Sequence, residues 1–345
     1  MNLDDLKAAT IKCLTFHDNR YATATIKSST PVSGGYSRLT YLLELECDNT
    51  IESLILQYLP KGATGLVRVD RNIESDLLRH LSNSDQIAAP DLITYDMQNK
   101  FFDSAALIFK AETGQDFVEV CRAADSADLG PLNRVVATAA AQVQSINIAE
   151  LPASLERPDS WSDYLDQQIE MFRQAEAESK ASRPFLRYLA QWLDENRPPE
   201  APLSLVHGDL QISNMIARPN NEAVLVDWEL AHIGDPREDL GWFTMVCGAI
   251  PPDILTPDID GFYNEYRKQT GLSEEVINPA TTAYFLIIAS IRTHYGMMKS
   301  SDALSESAAQ AQSALAAYYL NITTYQHMNW MNSIATVESY QGERA

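Results

Sequence analysis

Cysteine is scarce in this chain, with four in 345 residues, and Cys13, Cys47, Cys121 and Cys247 form no C-x-x-C pair. That scatter argues against a disulfide framework and against a zinc site. Reduced thiols fit the cytoplasm, where we expect the protein to reside. Positive charge is also short: 26 Lys and Arg stand against 47 Asp and Glu, a formal net charge of −21. Nucleic-acid backbones need a basic surface, so no nucleic-acid partner is expected. The acidity does not in turn identify a cationic substrate, because acidic surfaces commonly serve only solubility. Long apolar runs are missing too, none approaching the roughly 20 residues that span a bilayer. The opening Met1-Asn2-Leu3-Asp4-Asp5-Leu6-Lys7 lacks the basic-then-apolar character of a secretion signal. No membrane partner is expected, and nothing speaks to oligomeric state. What is present is 45% hydrophobic and 21% charged residues, the composition of a folded protein. The length suits two lobes rather than one core.

Along the chain, the first 27 or so residues carry a weak helical pattern at Leu3, Leu6, Ile11 and Leu14. The run Arg38-Leu39-Thr40-Tyr41-Leu42-Leu43-Glu44-Leu45-Glu46 alternates like a strand. A turn at Cys47-Asp48-Asn49-Thr50 leads to a second apolar run, Ser53-Leu54-Ile55-Leu56-Gln57-Tyr58-Leu59. Ahead of them, Ser33, Gly34 and Gly35 form a small, permissive segment whose backbone N–H groups can approach a phosphate, although Gly-Gly beside a strand is as often a plain turn. Periodicity predicts a helix over 71–81 with Glu74 off its apolar face, then a buried strand ending at Phe109. Glu112-Thr113-Gly114-Gln115 breaks that strand, and we place the lobe boundary there: residues 1–110 as an N-terminal lobe, 111–345 as a C-terminal lobe. Long helices are predicted over 135–146, 161–178 and 184–196. A stiff Pro-rich connector, Arg197-Pro198-Pro199-Glu200-Ala201-Pro202, follows, because proline fixes φ and removes donors.

The most informative stretch comes next. His207-Gly208-Asp209 is followed, after four intervening residues, by Asn214, and Val224-Leu225-Val226 then delivers Asp227, Trp228 and Glu229. Phosphoryl transfer passes through a loose, anionic transition state, so the protein's task is positioning and charge neutralisation. A carboxylate free of metal, Asp209, can orient an acceptor hydroxyl and take its proton. An amide oxygen and a second carboxylate, Asn214 and Asp227, are the hard ligands that Mg2+ accepts while it keeps waters and phosphate oxygens. His207 in such a loop more often braces the backbone than carries a proton. Asp235 before Pro236 reads as a helix N-cap. Asp239, one turn further on, could brace the loop or complement the helix dipole. Glu229 is an auxiliary metal candidate, or simply a solvated residue after a strand.

His207-Gly208-Asp209-x4-Asn214, Val226-Asp227-Trp228-Glu229 and Gly234-Asp235-Pro236-x2-Asp239-Leu240 together resemble the aminoglycoside phosphotransferase and choline kinase superfamily. The branch they are nearest to is the one found joined to acyl-CoA dehydrogenases. The resemblance implies an α+β, protein-kinase-like two-lobe fold, with a small antiparallel-sheet N-lobe and a mainly helical C-lobe. It implies a nucleotide, ATP with GTP left open, together with Mg2+, near Ser33, Gly34, Gly35, Gln57, Glu74 and a hinge at Phe109 and Ala111. It implies transfer of the γ-phosphoryl group to a hydroxyl of a small molecule. One departure stands out. Relatives place a Lys or Arg on the third strand to pair with the helix Glu, and here that position is Gln57; Lys61, Arg68 or Arg71 could substitute. Weak nucleotide binding is the consequence, and Gln57→Lys would restore the pair. A second class of function therefore stays open, a pseudokinase-like module that binds nucleotide or a small ligand with little transfer. The acceptor itself is not legible, although Trp161, Trp242, Tyr284, Arg292, His294 and Tyr295 are candidates for its pocket wall.

Overall fold

The computed structural model describes residues 1–32, 38–59, 70–84, 87–125, 127–178, 184–219, 222–249 and 254–301, with scattered positions between 310 and 328. These fall into two compact units. The first comprises Met1–Phe117, Ala149–Leu155 and Ser213–Leu230, the second Val118–Ile148, Glu156–Ile212 and Ala231–Ala345.

The first unit opens with helix α1 (Leu3–His17), capped by the Asn2 side chain on the Asp5 N–H. A 3-10 turn, Asn19–Thr23, leads into β1 (Thr25–Val32), β2 (Leu39–Cys47) and β3 (Thr50–Tyr58). Helix α2 (Arg71–Ser82), β4 (Leu92–Asp96) and β5 (Ala106–Lys110) follow. The five strands form one antiparallel sheet in the order β1-β2-β3-β5-β4. Between β2 and β3, Asp48 and Asn49 both take positive φ, 49° and 63°. That is the two-residue hairpin turn whose twist matches the strands, and it suits Asp and Asn. It fixes the register: Cys47 faces Thr50, and Thr40 faces Gln57. Alternation then sends Leu54, Leu56 and Tyr58 into the core that α1 covers with Leu6, Ala9, Cys13 and Leu14. Gln57 stands on the opposite face.

The helical reading of the first 27 residues needs one correction. The helix stops at His17 and residues from Thr25 are strand. β1 is Ser/Thr-rich and contains Pro31, yet among the described residues it pairs only with β2, and a sheet edge tolerates proline.

Past β5 come the two-residue β6 (Gln115–Asp116), α3 (Phe117–Ala123), α4 (Leu129–Ser145), α5 (Trp161–Glu178) and α6 (Pro184–Glu195). The short strands β7 (Ser204–Val206), β8 (Met215–Ala217), β9 (Ala223–Leu225) and β10 (His232–Gly234) precede α7 (Arg237–Ala249), α8 (Asn264–Thr270) and α9 (Pro279–Ser301). In the second unit the core is helix on helix. Trp161, Leu165, Ile169 and Phe172 of α5 meet Leu189, Trp192 and Leu193 of α6 and Phe285, Ile288 and Ile291 of α9. Among the described residues no helix is long and apolar enough to cross a membrane. Cys13, Cys47 and Cys121 are buried.

Candidate active site

The residues singled out from the sequence occur in two groups, one in each unit. In the first unit β8 and β9 make a short hairpin, Met215 facing Leu225 and Ala217 facing Ala223. Its open end is tied by the Val226 N–H donating to the Asn214 carbonyl at 2.9 Å. The interval of thirteen residues between Asn214 and Asp227 is therefore a hairpin that returns the chain to its starting point. β6 extends this small sheet beside β8, and Gly114 lies so close that a Cβ there would meet the Ala217 carbonyl oxygen at 2.4 Å. Trp228 is buried and donates its Nε1–H to the Leu225 carbonyl, anchoring the turn that follows β9. Asp227 itself has φ of +67°, a left-handed conformation uncommon outside glycine that Asp tolerates better than most residues.

Arg38 accounts for much of what holds Asp227. Its Nη1 donates to Gln57 Oε1 at 2.5 Å and to Glu74 Oε1 at 2.9 Å, its Nη2 to Asp227 Oδ1 at 3.2 Å and to Glu229 Oε2 at 2.7 Å. The Arg38 and Glu74 side chains are each 2% exposed, Asp227's is 25%. Arg71 adds a second cation, 3.3 Å from Glu74 and 3.9 Å from Glu229. Burial pushes the Asp227 carboxyl up to about 6; Arg38 opposes the rise, and Glu229 and Glu74 add to it. Burial also works against the Arg38 charge, but Glu74, Asp227 and Glu229 outweigh it and raise its pKa.

The expectation drawn from Gln57 is corrected here. Glu74 does not lack a basic partner: Arg38, just ahead of β2, supplies it, and Gln57 serves as an acceptor for the same guanidinium. Cross-strand geometry explains the exchange. Thr40 faces Gln57, and Arg38, two residues earlier, shares its face of the sheet. Arg71 also touches Glu74, whereas Ser33, Gly34, Gly35, Lys61 and Arg68 lie outside the described residues. Phe109 is buried in β5 opposite Ile55, and the Ala111 N–H donates to the Ser53 carbonyl at 2.9 Å.

In the second unit β7 pairs with β10 and leads directly into the loop that carries Asp209. Asp239, in the first turn of α7, accepts the His207 N–H at 2.8 Å and the Gly208 N–H at 2.9 Å, one on each carboxylate oxygen. Gly208 has φ of +82°, the left-handed conformation that glycine adopts without strain. His207 is fully buried and its Nδ1 lies 3.3 Å from the Asp209 N–H, so this histidine braces the loop. The half-buried Asp209 receives a bond on Oδ1 from Gln211 Nε2 at 2.7 Å. Burial raises the Asp239 carboxyl to about 6 even though its two backbone donors pull the other way. Asp235 caps α7 through the Arg237 N–H and also takes the Trp161 indole N–H and the Arg237 guanidinium. Most of the aromatic wall candidates are core residues: Trp161 is tied to Asp235, and Tyr284 donates to the Leu193 carbonyl. Arg292 is engaged by Glu238 and Gln168.

Three features thus define a kinase-type phosphotransferase: a five-stranded antiparallel sheet with a buried Arg–Glu pair, an amide and a carboxylate at the end of one hairpin, and a braced Asp loop. The chain belongs to the phosphotransferase enzyme family, which matches residues 28–271. It is 27% identical over 227 residues, 61% of its length, to a probable acyl-CoA dehydrogenase, IBR3, of Arabidopsis thaliana. The chain spans about a quarter of that relative's length, 27%. By fold it is similar to the macrolide 2'-phosphotransferase MphH of Brachybacterium faecium, with a TM-score of 0.63 at 16% identity over 90% of this chain and 97% of the other. It is also similar to the GDP complex of aminoglycoside 2'-phosphotransferase-IIIa, with a TM-score of 0.65 at 12% identity over 94% and 99%.

Proposed function

We propose that this protein transfers the γ-phosphoryl group of ATP to a hydroxyl of a small molecule, with Asp209 as the base and Asn214 and Asp227 as the protein ligands of Mg2+. The observation that carries the proposal is the bond between Val226 and Asn214, which sets an amide and a left-handed, partly exposed carboxylate at one end of a single hairpin. An amide oxygen and a carboxylate are the hard donors Mg2+ takes, and so small a protein set suits a cation whose remaining ligands are waters and nucleotide phosphates. When bound there, the ion would neutralise charge on the phosphates.

The remaining steps belong to side chains. Asp209 accepts the hydroxyl proton as the acceptor oxygen attacks. Its backbone is held by His207 Nδ1, and the two residues before it by Asp239, so the carboxylate is positioned before substrate arrives. Gln211 fixes the orientation of Oδ1. The alternative reading, a module that binds without transfer, drew its support from Gln57, and the charge that Arg38 brings to Glu74 removes that support. The GDP complex of one structural neighbour favours a nucleotide donor, and the aminoglycoside and macrolide neighbours favour a hydroxylated small molecule as acceptor.

Two substitutions test the assignment. Asp209→Asn is expected to lower turnover on the order of 10²-fold or more, the weight of a positioned general base, with Mg·ATP affinity and fold kept. Asp227→Ala is expected to abolish Mg-dependent nucleotide binding in calorimetric titration, and Asn214→Ala to weaken it less. Near wild-type turnover in the first variant, on an acceptor found by screening hydroxylated metabolites, sinks the base assignment. Unchanged affinity in the second moves the metal elsewhere.

A further inference from the structure

Arg38 binds more partners than a merely structural cation on a sheet needs. A guanidinium presents its donors in a rigid planar fork. Here one terminal nitrogen serves Gln57 and Glu74, and the other serves Asp227 and Glu229. The four acceptors come from β3, from α2 and from the turn after β9, so a single side chain ties three separate segments of the first unit. An ammonium, a point charge with no fixed plane, cannot span the same four atoms in this way. The bond to Asp227 is the longest of the four, 3.2 Å, and it touches only Oδ1.

Charge counting gives the same direction. Arg38 and Arg71 face Glu74, Asp227 and Glu229, two cations against three carboxylates, which leaves one negative charge in the group. A divalent cation at Asp227 reverses that sign, whereas loss of Arg38 alone leaves the carboxylates to repel one another in a site where they are largely withdrawn from water. Gln57 has a defined part in this arrangement. Its amide oxygen is an acceptor that a lysine at the same position would replace with a second positive group beside Arg38.

We propose that Arg38 is the positioning residue for Asp227, and that the Arg38–Gln57 pair is a transposed cation site, in which the charge opposite Glu74 is carried by the strand neighbouring Gln57. The inference rests on the reading of Asp227 as a metal ligand. Its consequence is a dependence between two positions on one face of the sheet, Arg38 just ahead of β2 and Gln57 on β3, whose side chains meet at 2.5 Å. A lysine at 57 is harmful or neutral while Arg38 is present, and useful only when Arg38 is gone.

The test uses the full chain and ADP with Mg2+ as the probe, read by calorimetry, with the ligand-free thermal midpoint as a check on folding. Arg38→Gln is expected to weaken Mg·ADP binding at least tenfold and to raise the Mg2+ concentration needed for half-saturation. Gln57→Lys alone is expected to leave affinity unchanged or reduce it. Gln57→Lys added to Arg38→Gln is expected to recover part of the loss, since it returns the charge opposite Glu74 but not the fork on Asp227 and Glu229. Unchanged Mg·ADP affinity in a folded Arg38→Gln protein overturns the proposal, as does a loss that the second substitution leaves in place. If Arg38→Gln does not fold, the single Gln57→Lys variant still decides, since tighter Mg·ADP binding with Arg38 in place contradicts a transposed site. Asp227→Ala separates the two readings. If it keeps Mg·ADP affinity, the metal assignment itself fails; if it loses affinity while Arg38→Gln does not, only the role of Arg38 falls.

Discussion

Asp239 carries a carboxylate where almost no water reaches it, and it accepts two backbone N–H groups of the Asp209 loop. Its folded-state pKa, about 6, lies above the ordinary 3.8 because burial outweighs those donors. A raised carboxyl pKa means that the fold binds this proton more tightly than the unfolded chain does. The stability it contributes is therefore full below about pH 4 and is lost as pH rises to about 6, by up to about 3 kcal/mol at 1.4 kcal/mol per unit. Glu238 behaves oppositely. Burial would raise it, but Arg292 and His232 hold it well below the usual range, so its contribution is present above about pH 4.5 and lost in stronger acid. Asp239→Asn should flatten the pH 4 to 6 part of the stability profile measured by urea unfolding, and a profile that keeps its wild-type slope there would assign the raised pKa to another group. Asp239 is also a case where the sequence was informative, since its offset from Pro236 and from the Asp209 loop left two roles open, a brace or a complement to the helix dipole, and the His207 and Gly208 N–H bonds fit the first. Arg38 was not legible in the same way. Nothing along β2 marks it, and its role appears only when the Asp48-Asn49 turn is used to pair Thr40 with Gln57 and the face shared with Arg38 is followed across the sheet.

Among the elements, the long helices and the hairpin strands were legible because their periodicity is strong and their ends carry caps. The predicted 161–178 helix is Trp161–Glu178, and the predicted 71–81 helix runs from Arg71 to Ser82 under an Asp70 cap. The strands β1 and β4 were missed for physical reasons. β1 is an edge strand rich in Ser and Thr with a proline, and β4 is five residues with no fully polar face, so neither presents a clean alternation. The contact between α7 and α9 depends on a feature that helix periodicity alone does not reveal. Gly241 of α7 meets α9 so closely that a Cβ would lie 2.6 Å from the Leu286 nitrogen and 2.7 Å from the Phe285 carbonyl carbon. Both obstacles are backbone, so neither can turn aside. In an open helix Gly→Ala gains up to about 1 kcal/mol, but forced overpacking costs about 1–3 kcal/mol. We therefore expect Gly241→Ala to be destabilising by roughly 1–2 kcal/mol, read as a lower urea midpoint with an unchanged slope. A raised midpoint would mean that α9 yields without loss.

Over the whole molecule, the formal charge of −21 sets a condition on the proposed reaction. Nucleotide phosphates are anionic, and the two arginines nearest Asp227 are already outnumbered by the three carboxylates they face. Long-range electrostatics therefore oppose the approach of ATP or ADP, and the attraction that holds them has to be local, through the metal and short hydrogen bonds. Salt distinguishes the two ranges. Raising ionic strength from about 10 mM to about 150 mM shortens the Debye length from roughly 30 Å to roughly 8 Å, which screens the repulsion of the molecule as a whole while leaving contacts of 3 Å nearly untouched. The association rate of a fluorescent ADP analogue, followed by stopped flow at fixed Mg2+, is accordingly expected to rise severalfold over that range, with a smaller change in its dissociation rate. Proteins that steer nucleotides with a basic cleft show the reverse. An association rate that falls with added salt would mean that a positive field at the mouth of the site outweighs the acidic surface, and the charge of the whole chain would then have no bearing on how nucleotide arrives.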